Sequence, residues 1–248
     1  MQELYPCLRS GVKLRTSASG PGIVDVTGGN EYRLSAAAAA VFALCDGSKN
    51  IRGVADDLAE EWEFDPGEIL DFLVDAAKRG FVLLSPDLIP TPVRIVGDPE
   101  LDFPHIVSLE ITTTCNIACT YCYGCYGPEK KEHFPFERVP EFFDMLADRG
   151  VSGIEITGGE PLAHPRFADL YRAAFERFNL VSLISNGILW KPMHFEILEN
   201  AGNRRKAYVQ ISIDGSDEAT NALVRQKRYT FEKTVSTIRR LVELDVLC

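Results

Sequence analysis

The stretch that decides the fold of the longer half of the chain is Ile106-Val107-Ser108-Leu109-Glu110-Ile111-Thr112, followed at once by Thr114-Cys115-Asn116-Ile117-Ala118-Cys119-Thr120-Tyr121-Cys122. The first run is rich in β-branched and apolar residues, which is typical of a strand. The second run carries three cysteines in the spacing C-x3-C-x2-C. We therefore expect a strand that leads directly into a loop of metal-ligating thiols.

Three thiolates on one short loop can ligate three irons of a cubane iron–sulfur cluster, and the spacing offers no obvious fourth ligand. The iron without a protein ligand is then a place for a substrate or cofactor to bind. The alternative is a structural zinc site, which takes four ligands in a tetrahedron. Cys125 or His133 would be the fourth zinc ligand, and unligated thiols are a third possibility because short cysteine motifs also occur by chance.

From His105 onward, strand-like and helix-like segments alternate. The predicted strands are Ile106–Thr112, Ile154–Thr157, Val181–Ser185 and Tyr208–Ile213, and the predicted helices are Val139–Arg149, Phe167–Phe178, Phe195–Asn200 and Phe231–Leu244. Alternating βα units predict an α/β fold with a parallel sheet, here a partial barrel with its helices outside. Val246-Leu247-Cys248 is interpreted as the beginning of a fifth strand.

Three further motifs follow the later strands. They are Gly158-Gly159-Glu160-Pro161, Ser185-Asn186-Gly187 and Asp214-Gly215. Active sites of parallel barrels lie at the carboxyl ends of the strands, so these motifs and the cysteine loop are expected to meet. The cysteine triplet with Tyr121 before its last member, taken with these motifs in this order, resembles the radical S-adenosylmethionine (radical SAM) enzymes.

The resemblance implies cofactors and a reaction. Cys115, Cys119 and Cys122 would ligate a 4Fe–4S cluster whose open iron binds S-adenosylmethionine. Reductive cleavage would release a 5′-deoxyadenosyl radical that abstracts a substrate hydrogen, and no catalytic residue beyond the cluster ligands is assigned. The family core has six βα units, so the resemblance implies a C-terminally truncated barrel here.

The resemblance also implies contacts with S-adenosylmethionine. Gly158, Gly159 and Glu160 would bind its amino group, Ser185 and Asn186 its ribose or carboxylate, Tyr121 its adenine and Arg225 its carboxylate, with Asp214 ending the fourth strand as in the SPASM-type subgroup. The alternatives are plain turns at the glycines and at Ser185, a core aromatic at Tyr121 and a surface charge at Arg225. Asn221-Ala222 stands where that subgroup usually has His-Asp, which puts the subgroup in doubt.

Residues 1–85 are predicted to form a separate winged-helix-like α+β domain. Its strands are Leu8–Arg15, Gly22–Thr27, Tyr32–Leu34 and Phe81–Leu84, with a turn at Gly28–Asn30, and its helices are Ala36–Leu44, Ile51–Trp62 and Asp65–Arg79. Ser35 and Asp65 are candidate N-caps. The segment has 8 Lys/Arg and 13 Asp/Glu, a balance of −5, which argues against DNA binding.

The spaced apolar residues of this segment, together with Asp46-Gly47, resemble the pyrroloquinoline-quinone chaperone-like (PqqD-like) fold, or RiPP recognition element. The resemblance implies that a precursor's leader peptide adds as a strand near Gly22–Thr27 or Tyr32–Leu34. Residues 86–104 contain five prolines and are predicted to be an extended linker before the barrel domain of residues 105–248.

The composition bounds the remaining classes. The chain has 248 residues, a formal net charge of −10 and no apolar run near the roughly 20 residues of a transmembrane helix, which disfavours nucleic-acid and membrane partners. Four of seven cysteines crowd into 115–125, which suits a reducing cytoplasm. Cys7, Cys45 and Cys248 are predicted to be buried as small hydrophobic residues. Cys125 is interpreted either as a thiol without a functional role or as part of an additional site near the first loop.

The sequence thus predicts a radical SAM maturase of a ribosomally made precursor peptide, supplied with electrons by a flavodoxin- or ferredoxin-type donor. The alternatives are a radical SAM maturase of a folded protein, as in sulfatase maturation, and a non-catalytic peptide-binding or electron-carrying iron–sulfur module. The sequence does not choose the peptide or the bond that is made.

Overall fold

The computed structural model describes residues 3–26, 30–59, 61–62 and 64–248. The chain divides into two compact units. The first runs to Phe103 and includes Asp148–Gly150, and the second comprises Pro104–Ala147 and Val151–Cys248. No helix in the described part of the chain is both long enough and apolar enough to cross a lipid bilayer.

The first unit contains two small sheets and three helices. Its elements are β1 (Tyr5–Leu8), β2 (Val12–Thr16), β3 (Gly22–Asp25), β4 (Asn30–Arg33), α1 (Ala36–Ala43), α2 (Ile51–Leu58), α3 (Pro66–Lys78), β5 (Val82–Ser85) and β6 (Ile95–Gly97). One sheet has the order β4-β3-β2-β6, and β1 pairs antiparallel with β5. The helices and strands share one core, in which Ile23, Val54 and Leu73 have no exposed surface.

The predicted helix starts are confirmed by their caps. Ser35 accepts a hydrogen bond from the Ala38 N–H at 3.1 Å. Asp65 accepts one from the Gly67 N–H at 3.2 Å, and Pro66 occupies the first helical position. These side chains satisfy N–H groups that have no partner inside their helices.

Three predictions for this unit are wrong in detail. The single strand Leu8–Arg15 is two strands in different sheets, because the chain turns at Gly11, whose φ is +88°. Helix α2 ends at Leu58 rather than Trp62. The proline-rich stretch is more than the predicted extended linker, since it contains β6, which pairs in parallel with β2. The predicted turn at Gly28–Asn30 falls largely on Gly28 and Gly29, which lie outside the described residues.

The second unit has the predicted α/β architecture. Its elements are β7 (Ile106–Glu110), α4 (Val139–Asp148), β8 (Gly153–Thr157), α5 (Phe167–Arg177), β9 (Leu180–Ser185), α6 (Pro192–Glu199), α7 (Ala201–Lys206), β10 (Ala207–Ile211), α8 (Glu218–Arg225) and α9 (Phe231–Glu243). All neighbouring strands of the sheet β10-β9-β8-β7 are parallel. The Val209 N–H donates to the Leu247 carbonyl at 2.9 Å, and Tyr208 forms a parallel bridge with Leu247, which agrees with the predicted beginning of a fifth strand.

The sheet of the second unit has two different faces. On one face, apolar residues such as Ile154, Leu183 and Val209 pack against the helices, including the buried apolar side of α5 around Tyr171. Side chains alternate along a strand, so the residues between them lie on the opposite face. That opposite face is mostly polar, and its residues Ser108, Glu155, Thr157 and Ile184 line the cavity described below.

Candidate functional site

A cavity of about 330 Å³ lies at the carboxyl ends of β7, β8 and β9. It is lined by nine of the eleven predicted site residues, namely Cys115, Cys119, Cys122, Tyr121, Gly158, Gly159, Ser185, Asn186 and Arg225. A larger groove of about 1050 Å³ between α6 and α9 has no cysteine and mixes acidic with basic side chains. We place the candidate site in the smaller cavity because the three thiols predicted to ligate a metal cluster lie there.

The cysteine loop is held by backbone hydrogen bonds. The Cys115 N–H donates to the Gly127 carbonyl and the Cys122 N–H to the Cys119 carbonyl, each at 3.2 Å. Cys115 is buried, and burial raises the pKa of its thiol to about 11 and also raises that of Cys119. Binding of a metal must therefore displace protons from these thiols.

The fourth ligands considered for a zinc site lie elsewhere. Cys125 is exposed and does not line the cavity, and the Nδ1 atom of His133 is 2.9 Å from the Thr112 hydroxyl. Within residues 3–26, 30–59, 61–62 and 64–248, no three His, Cys, Asp or Glu side chains gather tightly enough to hold a metal ion. The three thiols line one cavity.

Two glycines allow the end of β8 to lie against the backbone before Cys115. Gly158 has a φ of +132°, and a Cβ there would be 2.4 Å from the Thr112 carbonyl oxygen. A Cβ on Gly159 would be equally close to the Thr114 carbonyl oxygen. The Gly159 N–H donates to the Thr112 carbonyl at 2.7 Å. The pair is thus more than a plain turn, because it brings two site segments into contact.

Glu160 differs from its expected placement. Its side chain is buried and does not line the cavity. Its carboxylate accepts hydrogen bonds from the Ser185 hydroxyl and the Asn186 N–H, both at 2.8 Å. Burial raises the pKa of Glu160 to about 7. In this geometry Glu160 joins the ends of β8 and β9 rather than offering its charge to a ligand.

Ser185 and Asn186 have both local and long-range partners. Each side chain accepts a backbone N–H two residues on, at 3.0 Å, as the turn alternative predicted. The Asn186 amide also donates to the Asn116 side chain at 2.8 Å, and its nitrogen is 4.0 Å from the Cys115 sulfur. The turn therefore sets Asn186 beside the cysteine loop.

Tyr121, Asp214 and Arg225 form a network at the rim of the cavity. The Tyr121 hydroxyl donates to Asp214 at 2.9 Å, and the Arg225 Nε atom is 2.5 Å from the same carboxylate oxygen. Arg225 is 4% exposed, so the alternative of a surface charge is wrong. Tyr121 is 58% exposed, so the alternative of a core aromatic is also wrong. Asp214 does not line the cavity, but its carboxylate binds the side chains of Tyr121 and Arg225, which both line it.

Helix α8 is the element of the site that the sequence prediction missed. The Thr120 N–H donates to the Val224 carbonyl at 3.0 Å, and the Lys227 ammonium to the Asn116 carbonyl at 2.8 Å. Buried Asn221 accepts the Asp214 N–H at 3.1 Å, which gives a local role to the residue found in place of the subgroup's usual pair. Asp217 caps the helix by accepting the Thr220 N–H, and an aspartate at this position is the sequence feature that could have predicted the start of α8.

A second group missed from the sequence lies beside the cavity. The hydroxyls of Tyr123 and Tyr126 both donate to the Glu110 carboxylate at the end of β7. These hydrogen bonds lower the pKa of Glu110. Both tyrosines line the cavity, so they form part of its wall next to Cys122.

Comparison with protein families gives two matches. The model of the radical SAM superfamily matches residues 109–247, and that of coenzyme PQQ synthesis protein D (PqqD) matches residues 23–82. The first match covers more than half of the chain and includes the cysteine loop.

Individual proteins resemble the chain over unequal lengths. The sporulation killing factor maturation protein SkfB of Bacillus subtilis is 29% identical over 87% of this chain and 52% of its own length. The antilisterial bacteriocin subtilosin biosynthesis protein AlbA of the same species is 31% identical over 58% of this chain and 32% of its own. The chain thus spans about half or less of these relatives.

A solved structure shows the same fold. Streptococcus suis SuiB bound to precursor peptide SuiA superposes with a TM-score of 0.60 at 15% identity, over 97% of this chain and 61% of that one. At this identity the likeness concerns architecture alone.

Proposed function

The chain belongs to the radical SAM superfamily, and from that premise we propose that it is a maturase that modifies a ribosomally made precursor peptide. The observation that carries the proposal is the presence, in one chain, of a cysteine-lined cavity and of a sheet with an exposed edge strand. The names of SkfB and AlbA, a maturation and a biosynthesis protein, agree with it.

The residues present fit the cofactors of the superfamily, a 4Fe–4S cluster and S-adenosylmethionine. Cys115, Cys119 and Cys122 would hold the cluster, because all three thiols line one cavity. When bound, these groups supply reductive cleavage of the sulfonium and abstraction of a substrate hydrogen.

The other cavity residues would bind and orient S-adenosylmethionine. Gly158 and Gly159 bring bare backbone to the cavity, where their polar groups can approach a ligand closely. Arg225 is held in place by Asp214, so its guanidinium is preorganised for a carboxylate. Glu160 would act indirectly, because it fixes Ser185 and Asn186. Tyr121 keeps its ring accessible at the rim, where an adenine could stack.

Strand β4 would bind the leader of the precursor. It is the edge of its sheet, and three of its four residues are exposed. The Leu34 N–H donates to the Pro21 carbonyl at 3.0 Å, so Leu34 and Pro21 form a hydrogen-bonded pair. The register then makes Tyr32–Ile23 and Asn30–Asp25 the next hydrogen-bonded pairs. Antiparallel pairs alternate between bonded and non-bonded. The backbone groups of Arg33 therefore point away from β3, to the side on which an added strand would pair.

A binding site at the edge of β4 favours a peptide substrate over a folded protein. An extended leader can pair with a strand edge directly, whereas a folded protein must first release an extended segment. We also propose a flavodoxin- or ferredoxin-type electron donor. The seven cysteines are all free, which supports a reducing compartment, and the cytoplasmic location stays a prediction.

The decisive test is mass spectrometry of a short peptide encoded beside the gene, co-expressed with the full-length enzyme. We expect a mass change confined to the core of the peptide, and none with the Cys119→Ala variant. Anaerobically reconstituted enzyme with S-adenosylmethionine and dithionite should also release 5′-deoxyadenosine. An enzyme that releases 5′-deoxyadenosine but leaves every such peptide unmodified would contradict the proposed substrate class.

A further inference from the structure

The polar face of the second unit's sheet carries a row of four side chains. Strand pairing aligns Ser108 with Glu155, Glu155 with Ser182, and Ser182 with Tyr208. Their neighbours along the strands, such as Ile154 and Ile156, are buried on the helix-covered face. The row therefore lies on the cavity side, away from the hydrophobic core.

Glu155 is the member of this row whose carboxylate can accept further hydrogen bonds. It lines the same cavity as the cysteines, and it is the one carboxylate among the described residues of the lining. One of its oxygens accepts the Ser108 hydroxyl at 2.9 Å. No other described residue donates to it, whereas nearby Glu110 is already bonded by two tyrosines. The only cation of the described lining, Arg225, is paired with Asp214.

A carboxylate in this position prefers a charged donor. Hydrogen bonds between two ionised groups are roughly twice as strong as neutral ones, and a concave wall screens them less than open water does. Ser108 restricts the carboxylate to one orientation, so less entropy is lost when a second donor binds. The hydroxyls of Thr157 and Ser212 on the same wall suit a polar rather than an apolar side chain.

The spacing along β8 sets the length of that side chain. Glu155 precedes Gly158 by three residues, which is about 10 Å along a strand. A peptide backbone that lies near the strand ends would need a long, extended side chain to reach Glu155. Lysine and arginine combine that length with a terminal positive charge.

We propose that Glu155, oriented by Ser108, binds the cationic side chain of a lysine or arginine in the core peptide and so determines which residue lies at the reaction site. The inference rests on the proposed function, whose substrate it specifies. It concerns recognition and adds no chemical step.

Binding of short peptides to the reconstituted full-length holoenzyme tests the inference. The probes are acetyl-Gly-X-Gly-amide with X as lysine, arginine, norleucine or glutamine, measured by saturation-transfer NMR under anaerobic conditions. The lysine or the arginine peptide should bind at least about tenfold more tightly than the norleucine peptide, the effect of one charge-assisted hydrogen bond. If neither cationic peptide binds more tightly than the norleucine peptide, the proposal is overturned, and if the glutamine peptide binds as tightly as both of them, the cationic class is overturned.

Variants assign the preference to the residue. Glu155→Gln should abolish the lysine preference, whereas Glu196→Gln, the same change on helix α6 outside the cavity, should keep it. Iron content verifies that each variant retains its cluster. If Glu155→Gln loses iron, Glu155→Asp replaces it, because the shorter acid keeps the charge but must weaken the preference. A lysine preference that survives unchanged in Glu155→Gln, or in Glu155→Asp where that variant replaces it, refutes the role of Glu155.

The failure of this inference is distinguishable from that of the proposed function. Release of 5′-deoxyadenosine is measured on the same samples. Release without a lysine preference refutes only the Glu155 site. A lysine preference without release, under conditions that reduce the cluster, refutes the proposed chemistry and leaves the binding site in place.

Discussion

The two sheets of this protein offer their candidate binding groups in different ways. The parallel sheet of the second unit ends in side chains: thiols, an amide, a guanidinium and a carboxylate around one cavity. The sheet of the first unit offers the backbone of β4 at an open edge. A side-chain site depends on a few atoms that cannot be replaced, whereas a backbone edge spreads its affinity over several similar hydrogen bonds.

The surroundings of the two sites follow from that difference. In the second unit, Glu160, Asp214 and Asn221 do not line the cavity but hydrogen-bond the ends of the strands and α8. In the first unit, the residues behind β4 form an ordinary apolar core. Substitutions around the cavity should therefore have larger effects than substitutions at the edge.

The largest expected effect is loss of the cluster in Cys119→Ser. A serine hydroxyl at this position is a much poorer iron ligand than a thiolate, so the absorption band of the reconstituted protein at roughly 400 nm should disappear. Cys125→Ser is the matched control, because Cys125 is exposed and outside the cavity. An unchanged spectrum in Cys119→Ser, or loss of the band in Cys125→Ser, would show that the ligand assignment is wrong.

The next effect concerns the backbone of the cavity. Gly158→Ala places a Cβ 2.4 Å from the Thr112 carbonyl oxygen, at a φ of +132° that residues with side chains rarely adopt. We expect the free energy of unfolding of the second unit to fall by roughly 3 kcal/mol. Urea denaturation followed by Trp190 fluorescence, in a Trp62→Phe background, isolates that unit.

The control for this change is Gly67→Ala in helix α3. A Cβ there has its nearest neighbour at 3.5 Å, so the substitution should be neutral or stabilise by up to about 1 kcal/mol. Its effect is read from Trp62 fluorescence in a Trp190→Phe background. Equal effects of the two substitutions would show that the cavity glycine is not conformationally special.

A third effect is a dependence of stability on pH that comes from Glu160. Burial raises its pKa from 4.5 to about 7, so between these values the folded chain binds a proton that the unfolded chain has lost. The stabilisation is complete below about pH 4.5 and falls as pH rises through 7, by about 3 kcal/mol in all. Glu160→Gln should flatten this slope relative to the parent, whereas Glu196→Gln should not. Parallel slopes in parent and Glu160→Gln would refute the shift.

Much of the second unit follows from its sequence. Each motif comes directly after a strand-like run, and the ends of neighbouring parallel strands share one edge of the sheet. That rule alone brings Cys115, Gly158 and Asn186 together, although their roles toward a ligand stay predictions. The caps at Ser35 and Asp65 were also predictable, because an N-cap acts through N–H groups two or three residues away.

The parts that could not be predicted depend on distant contacts. The hydrogen bond from Thr120 to Val224 joins residues about a hundred positions apart, and no local spacing encodes it. The burial of Glu160 depends on Ser185 and Asn186, which sequence reasoning assigned to the ligand instead. The short strand β6 was hidden because the prolines around it suggested an open linker.

The smallest expected effect lies at the edge strand. Arg33→Pro removes one outward-facing N–H of β4, while the bonds of β4 to β3 through Tyr32 and Leu34 remain. The loss of one backbone hydrogen bond should weaken leader binding about tenfold, measured by fluorescence anisotropy with a labelled leader peptide of the precursor. Arg33→Ala keeps the N–H and separates the backbone effect from that of the charge. If both variants weaken binding equally, the side chain of Arg33 decides affinity, and if neither weakens it, the outward N–H is not used; either result ends the contrast between a side-chain cavity and a backbone edge.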